Sequence, residues 1–285
     1  MPRATIAALT VYPVKSCRGI ALSRARVGAR GLVAEAGAAR VADREWMIVD
    51  RDGRFVTQRE YPRLALVETR LEAGTLVLAS PGLPELTVPL VAPSGPVREV
   101  TVWSSSVPAH DAGEDAERWL SGLIGAELRL VRYDSRHERR CNPDYAGASG
   151  AHTAFADAYP VLVIGEASLA DLNARLAANG GATVPMNRFR PNLVLAGLEP
   201  YDEDHVDTIA GQAVTLRLVK PCTRCQITTT DQDSAQVGLE PLPTLAGYRN
   251  DATLSGVTFG MNAIIVAGAG RELTVGAGVD CSFAF

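Results

Sequence analysis

The feature that most constrains this chain is the run of short strand-like segments filling its first hundred residues. Segments 5–14, 21–27, 45–49, 64–69, 75–78, 85–90 and 98–103 each gather β-branched and aromatic residues, and turn signals such as Asp52-Gly53 and Pro81-Gly82 separate them. Strands this short and this closely spaced bury an apolar face only by curling, so the pattern predicts a small barrel or a rolled sheet.

Helical periodicity begins after this region. Ala116, Trp119, Leu120, Leu123 and Ile124 form one apolar stripe, with Asp111 and Glu114 spaced like a capping pair and Gly125 placed to end the helix. A strand over 127–133 follows. Residues 134–151 lack periodicity and read as a loop or lid at the junction between two parts of the chain. A second helix over 169–178 carries Leu169, Leu172 and Leu176, with Ser168 and Asp171 spaced as a cap pair and Asn179-Gly180-Gly181 at its end. Later strands are expected over 193–195, 214–219, 226–229, 262–266 and 273–275. No glycine-rich turn joins an early strand to a helix, which disfavours a dinucleotide-binding fold.

Composition excludes several functional classes. Apolar residues make up 47% of the 285, and the formal net charge is -4, so the chain has no broad polyanion-binding footprint and no nucleic-acid partner is expected. No apolar run approaches the roughly 20 residues that cross a bilayer, and the start of the chain lacks a secretion-leader pattern; a cytoplasmic protein without a membrane partner is expected. Five cysteines, an odd number without regular spacing, argue against a disulfide framework.

The strongest chemical signal is Lys220-Pro-Cys-Thr-Arg-Cys225. Pro221 tends to end a strand, and Lys220 and Arg224 favour a thiolate if they face the sulfur. A metal- or cofactor-bound thiolate, a redox-active pair and a structural turn all remain open for these residues. The β-branched run after Cys225 favours extended chain over the helix that commonly follows a redox pair. Three further segments carry donors suited to an anion: Lys15 and Ser16 after the first strand, Arg44 beside another, and Arg190 with Asn192, which share one side of an extended chain.

Taken in order, Tyr12-Pro-Val-Lys-Ser-Cys17, Asp43-Arg-Glu-Trp-Met47, Phe155-Ala-Asp157, Glu166-Ala-Ser-Leu-Ala-Asp-Leu-Asn173, Arg188-Phe-Arg-Pro-Asn192 and Pro221-Cys-Thr-Arg-Cys225 resemble the MOSC proteins related to the amidoxime-reducing component. The resemblance spans nearly the whole chain. It implies a mostly β architecture with some α/β elements: an N-terminal MOSC-type β-barrel-like domain over 1–125, packed on a β-barrel MOSC domain with a few helices over 126–285. It also implies a molybdenum cofactor with a pyranopterin dithiolene, ligated by Cys225 and not by Cys222. Lys15, Ser16, Arg44, Arg190, Asn192, Thr223 and Arg224 match positions around the cofactor, and Asp157 matches an acidic position near the metal that could relay protons.

The implied reaction is two-electron reduction of N-hydroxylated compounds such as amidoximes, hydroxylamines or N-hydroxylated bases. The chain lacks the clustered cysteines of an iron–sulfur domain, so a separate flavin, haem or iron–sulfur electron donor is expected. A monomer is the default. Ala158 stands where many relatives have glycine or a polar residue, which bears on substrate scope. The alternative is a cofactor carrier or sulfur-transfer protein of the same fold without reductase activity. The 134–151 loop is expected to cover the substrate, with Arg136, His137 and Arg140 near the entrance.

Overall fold

The computed structural model describes residues 3–91 and 95–284. Its centre is a closed seven-stranded barrel. Strand Val161–Gly165 lies parallel to Leu193–Ala196; next come Arg3–Val11, Gly278–Phe283, Val206–Gly211, Val214–Thr223 and Gly256–Ala267, and the last returns to Val161–Gly165. Closure depends on the middle of Gly256–Ala267, where Met261, Asn262 and Ala263 pair on one side with Val163, Leu162 and Val161 and on the other with Pro221, Lys220 and Leu218. Gly260 precedes this double pairing at φ +77. A Cβ there would stand 2.6 Å from Ile164 Cγ1 and 2.8 Å from the Val163 carbonyl oxygen, so only glycine lets the strand approach this closely.

A curled half-barrel packs against the barrel, with strands in the order Val97–Val102, Ser105–Asp111, Leu128–Tyr133, Trp46–Asp50. Two small antiparallel sheets complete this side: Glu272–Thr274 with Arg24–Gly28, Gly31–Ala36 and Ala39–Ala42, and Glu68–Glu72 with Thr75–Ala79 and Leu86–Pro89. The first strand belongs to the barrel, whereas Leu128–Tyr133 pairs with Trp46–Asp50, so sheet membership crosses residue 125 in both directions. One apolar core runs through both parts, from Ile6, Leu195, Leu216 and Val279 to Trp46, Leu76 and Leu120. Among the described residues no helix is long and apolar enough to cross a membrane.

Several local expectations need correction. Residues 64–69 split into a 3-10 turn, Pro62–Leu66, and a strand beginning at Glu68; Pro62 supplies the fixed φ that starts such a turn. Pro221 does not end its strand. Val214–Thr223 continues through it because register shifts flank Pro221, where a missing N–H is tolerated. The segment Gln226–Thr229 forms a 3-10 helix instead of a strand, and the Thr228 and Thr229 hydroxyls return hydrogen bonds of 3.0 and 2.9 Å to the carbonyls of Cys225 and Gln226. These local bonds offset the extended preference of the β-branched run.

Helix Glu166–Ala178 starts before the expected residue, with Gly165 as its N-cap. Ser168 lies inside the helix and donates to Glu203 Oε2 at 2.7 Å. Helix Glu114–Ile124 is capped by Gly113, whose N–H donates to Asp111 Oδ1, and ends at left-handed Gly125.

Candidate functional site

The segments singled out in the sequence converge on one cleft between the barrel and the half-barrel. Lys15, Ser16, Arg44, Asp157, Arg190, Asn192, Thr223, Arg224 and Cys225 all line it. The chain leaves the first barrel strand at Val11 and is at once tied to the half-barrel. Tyr12 N donates to Asp43 Oδ1 at 2.8 Å, Arg44 N to the Tyr12 carbonyl at 2.7 Å and Lys15 N to the Trp46 carbonyl at 2.8 Å. Lys15, almost fully buried, then directs its ammonium to the Phe155 carbonyl at 2.9 Å and to Asp157 Oδ1 at 2.5 Å.

Asn192 is the hub behind this wall. Its Nδ2 donates to Asp43 Oδ1 and the Thr10 carbonyl, and its Oδ1 accepts from Arg44 Nη1 and Leu162 N. Those four bonds use the full capacity of an amide, so Asn192 holds Arg44 and Asp43 in place and has no polar group left for a ligand. Arg44 is anchored further by a short contact to Asp43 and by donation to the Arg190 carbonyl at 3.3 Å. Burial acts to lower the Arg44 pKa, but Asp43 beside it more than offsets this and the net shift is upward.

Arg190 has no such carboxylate. It is 8% exposed, held at φ 56 with its guanidinium 4.3 Å from the centre of the Tyr12 ring, and its Nη2 is buried without a hydrogen-bond partner among the described residues. Burial pushes its pKa down to about 10, and Arg44 nearby pushes the same way. Arg224 donates to Cys222 Sγ at 2.9 Å and to the Phe189 carbonyl at 2.6 Å, while its buried Nε is also unpartnered. Buried cationic donors left unpaired are costly, and both residues belong to the lining of this cleft.

The cysteines divide sharply. Cys17, Cys141 and Cys281 are buried, and burial raises their pKa values to about 12, 11 and 11, which keeps them as inert thiols. Cys225 is exposed at the cleft, in extended conformation at the N-cap of the 3-10 turn, with Cys222 on the same wall. Among the described residues no three His, Cys, Asp or Glu side chains gather into a metal site.

Residues 3–127 match the model of the MOSC N-terminal beta barrel domain and residues 150–280 that of the MOSC domain. Mitochondrial amidoxime-reducing component 1 of Mus musculus is 36% identical over 250 residues, covering 86% of this chain and 71% of the relative. The Homo sapiens component 1 is 35% identical over 251 residues (86% and 72%), and Rattus norvegicus component 2 is 33% identical over 252 residues (86% and 72%). The chain belongs to the MOSC family of amidoxime-reducing components.

In this MOSC protein the half-barrel also contributes residues that sequence reading missed: Thr57, Arg59 and Trp103 line the cleft. Trp103 Nε1 donates to Asp157 Oδ1 at 3.0 Å, and Arg59 lies over the Trp103 ring at 5.1 Å. The one signal available for Trp103 was a bulky residue in a tight Trp-Ser turn where glycine or asparagine is favoured. Gln58, fully buried, donates to the Ser16 carbonyl at 2.7 Å and forms a reciprocal amide pair with Gln232. The expected entrance residues need correction. Arg136, His137 and Arg140 do not line the cleft; Arg136 is drawn to Asp134 and Arg140 to Glu138. Arg139 performs the structural task there, donating to the carbonyls of Ala154, Ala156 and Asp157 and so clamping the segment that carries Asp157.

Proposed function

We propose that this protein is a cytoplasmic, molybdenum-cofactor-dependent reductase of N-hydroxylated compounds, supplied with electrons by a separate flavin, haem or iron–sulfur protein. The observation that carries the reading is the presence, in the lining of one cleft, of an exposed thiol, Cys225, together with Arg190 and Arg224, each of which has one buried guanidinium nitrogen, Nη2 and Nε respectively, without a partner among the described residues. Cys225 would ligate the metal. Arg190, Arg224, Arg44, Lys15, Ser16 and Thr223 would hold the pterin and its phosphate, with Asn192 acting through Arg44. When bound, the cofactor supplies the two electrons that turn an N–OH into an N–H with release of water.

The protein residues then have separable duties. The surrounding protein acts to raise the Asp157 pKa, yet Lys15 and Trp103 beside it hold its carboxyl well below the usual carboxylate range. A carboxylate so stabilised stays ionised at neutral pH, so Asp157 serves better as an acceptor that orients substrate N–H groups than as the proton donor. Lys15 is the better proton carrier, since burial lowers its pKa against the pull of Asp157.

The test is turnover of benzamidoxime to benzamidine by cofactor-loaded protein, with reduced viologen as an artificial donor. Steady conversion supports the reductase. A loaded protein that reduces no N-hydroxylated compound but delivers its cofactor to an acceptor apoenzyme would establish the carrier role instead.

A further inference from the structure

The half-barrel reaches the cleft through the hairpin between Val97–Val102 and Ser105–Asp111, and Trp103 sits at its tip. This residue has two unusual properties. It adopts φ 53, a left-handed conformation that is uncommon for a bulky side chain, and it remains 47% exposed. Its indole is held on both sides of that strain: the ring packs on Phe55 with centroids 5.1 Å apart, and the Arg59 guanidinium lies 5.1 Å from its centre.

The held indole directs its only polar atom at one atom of the site. Trp103 Nε1 donates to Asp157 Oδ1 at 3.0 Å, and the same oxygen receives the Lys15 ammonium at 2.5 Å. With both protein donors on Oδ1, Asp157 Oδ2 has no hydrogen-bond partner among the described residues, and the Asp157 side chain is 70% exposed to the cleft. The backbone behind it is clamped by Arg139, whose Nη2 donates to the Asp157 carbonyl at 2.8 Å. The result is one carboxylate oxygen, presented in a fixed orientation, in the cleft that holds Cys225.

We propose that Trp103 is a positioning residue that sets substrate preference: by pinning Asp157 through Oδ1 it presents Oδ2 to the amino N–H of an amidine-type N–OH group. This selects amidoximes and N-hydroxyguanidines over oximes and simple hydroxylamines. The inference rests on the reductase reading for its consequence in turnover, but the recognition itself is a binding property. A site built to accept a substrate N–H rejects the analogue lacking it far more strongly than a shape-matching pocket does.

Benzamidoxime and benzaldoxime isolate the contact, since they differ by the amino group alone. Their binding is measured by titration calorimetry on cofactor-loaded protein without an electron donor, so that neither is turned over, and kcat and KM are then measured with reduced viologen. The native protein should bind benzamidoxime at least about 10-fold more tightly than benzaldoxime, as expected for a hydrogen bond to a charged acceptor. Trp103→Phe keeps the ring and removes the N–H; it should shrink that ratio at least 3-fold, mainly through weaker benzamidoxime binding and higher KM, with benzaldoxime affinity little changed. Trp103→His, which retains a ring N–H, should recover part of the preference.

Equal loss of both ligands in Trp103→Phe, or an unchanged ratio, overturns the proposal, because a purely structural role would move both affinities together. If the native protein discriminates the two ligands in binding and Trp103→Phe does not, the proposal stands even when no turnover is seen, and only the reductase reading fails.

Discussion

Arg190 is a buried cation without a hydrogen-bond or ion-pair partner among the described residues, and its replacement by methionine separates stability from function. Burial lowers its pKa to about 10, which at about 1.4 kcal/mol per pH unit amounts to about 3 kcal/mol of disfavoured charge in the folded, cofactor-free protein. Replacement also forfeits the packing of the guanidinium on Tyr12, worth about 1 to 2 kcal/mol at a desolvated site. The balance predicts that cofactor-free Arg190→Met is more stable than the native chain by about 1 to 2 kcal/mol, a rise in Tm of about 4 °C for a chain of this size. The sign follows from linkage: the folded state sheds the Arg190 proton first, so the gain is present in full below about pH 10 and fades as pH rises above it. The same change removes a charged donor from the anion site, so cofactor affinity should fall about 10- to 100-fold. Thermal and denaturant unfolding of both proteins, expressed in a host unable to make the cofactor, reads the first effect; loading in a competent host reads the second. A variant that unfolds more easily than native cofactor-free protein and still loads normally would refute the assignment of Arg190 as a cation held for an anionic ligand.

Gln58→Ala should lower stability by about 2 to 3 kcal/mol, because it leaves the buried Gln232 Oε1 and the Ser16 carbonyl without their donor; urea unfolding checks this, and Gln58→Glu should not restore it. Gly260→Ala should prevent the barrel from closing normally, since its methyl would meet Ile164 and the Val163 carbonyl below 3 Å; soluble yield and near-ultraviolet circular dichroism report the loss, whereas Gly74→Ala, in open space at the same sign of φ, should cost about 1 kcal/mol.

Much of the barrel was legible because its strands carry β-branched residues in short runs. Among the strands absent from the sequence reading, Ala39–Ala42, Ser105–Asp111 and Gly278–Phe283 contain few strongly β-favouring residues, whereas the barrel strands Val161–Gly165 and Val206–Gly211 were passed over although Val161, Val163 and Ile164 favour a strand. Helix Leu242–Arg249 follows proline-rich chain and has little apolar stripe. The site was readable wherever a residue's type announced its chemistry, as with Cys225, Lys15 and the arginines. It was not readable where the role depends on a partner far along the chain. Asn192 looks like a ligand donor until its bonds to Thr10, Asp43, Arg44 and Leu162 are traced, and Trp103, Arg59 and Gln58 acquire meaning only when the half-barrel folds onto residues 155–157 and 225–232. The turn after Cys225 shows the complementary limit: its threonines read as strand until side-chain hydroxyls are allowed to bond back to the main chain.

The central claim is that Cys225 binds molybdenum carried on a pterin anchored by the arginines around it. The most direct measurement is the molybdenum and pterin content of the native protein and of Cys225→Ser, both produced in a host that makes the cofactor and both checked for native folding. The account predicts near-stoichiometric molybdenum and pterin in the native protein and loss of at least the metal in the variant. Folded native protein without either, or a variant that retains both at the native level, would contradict it.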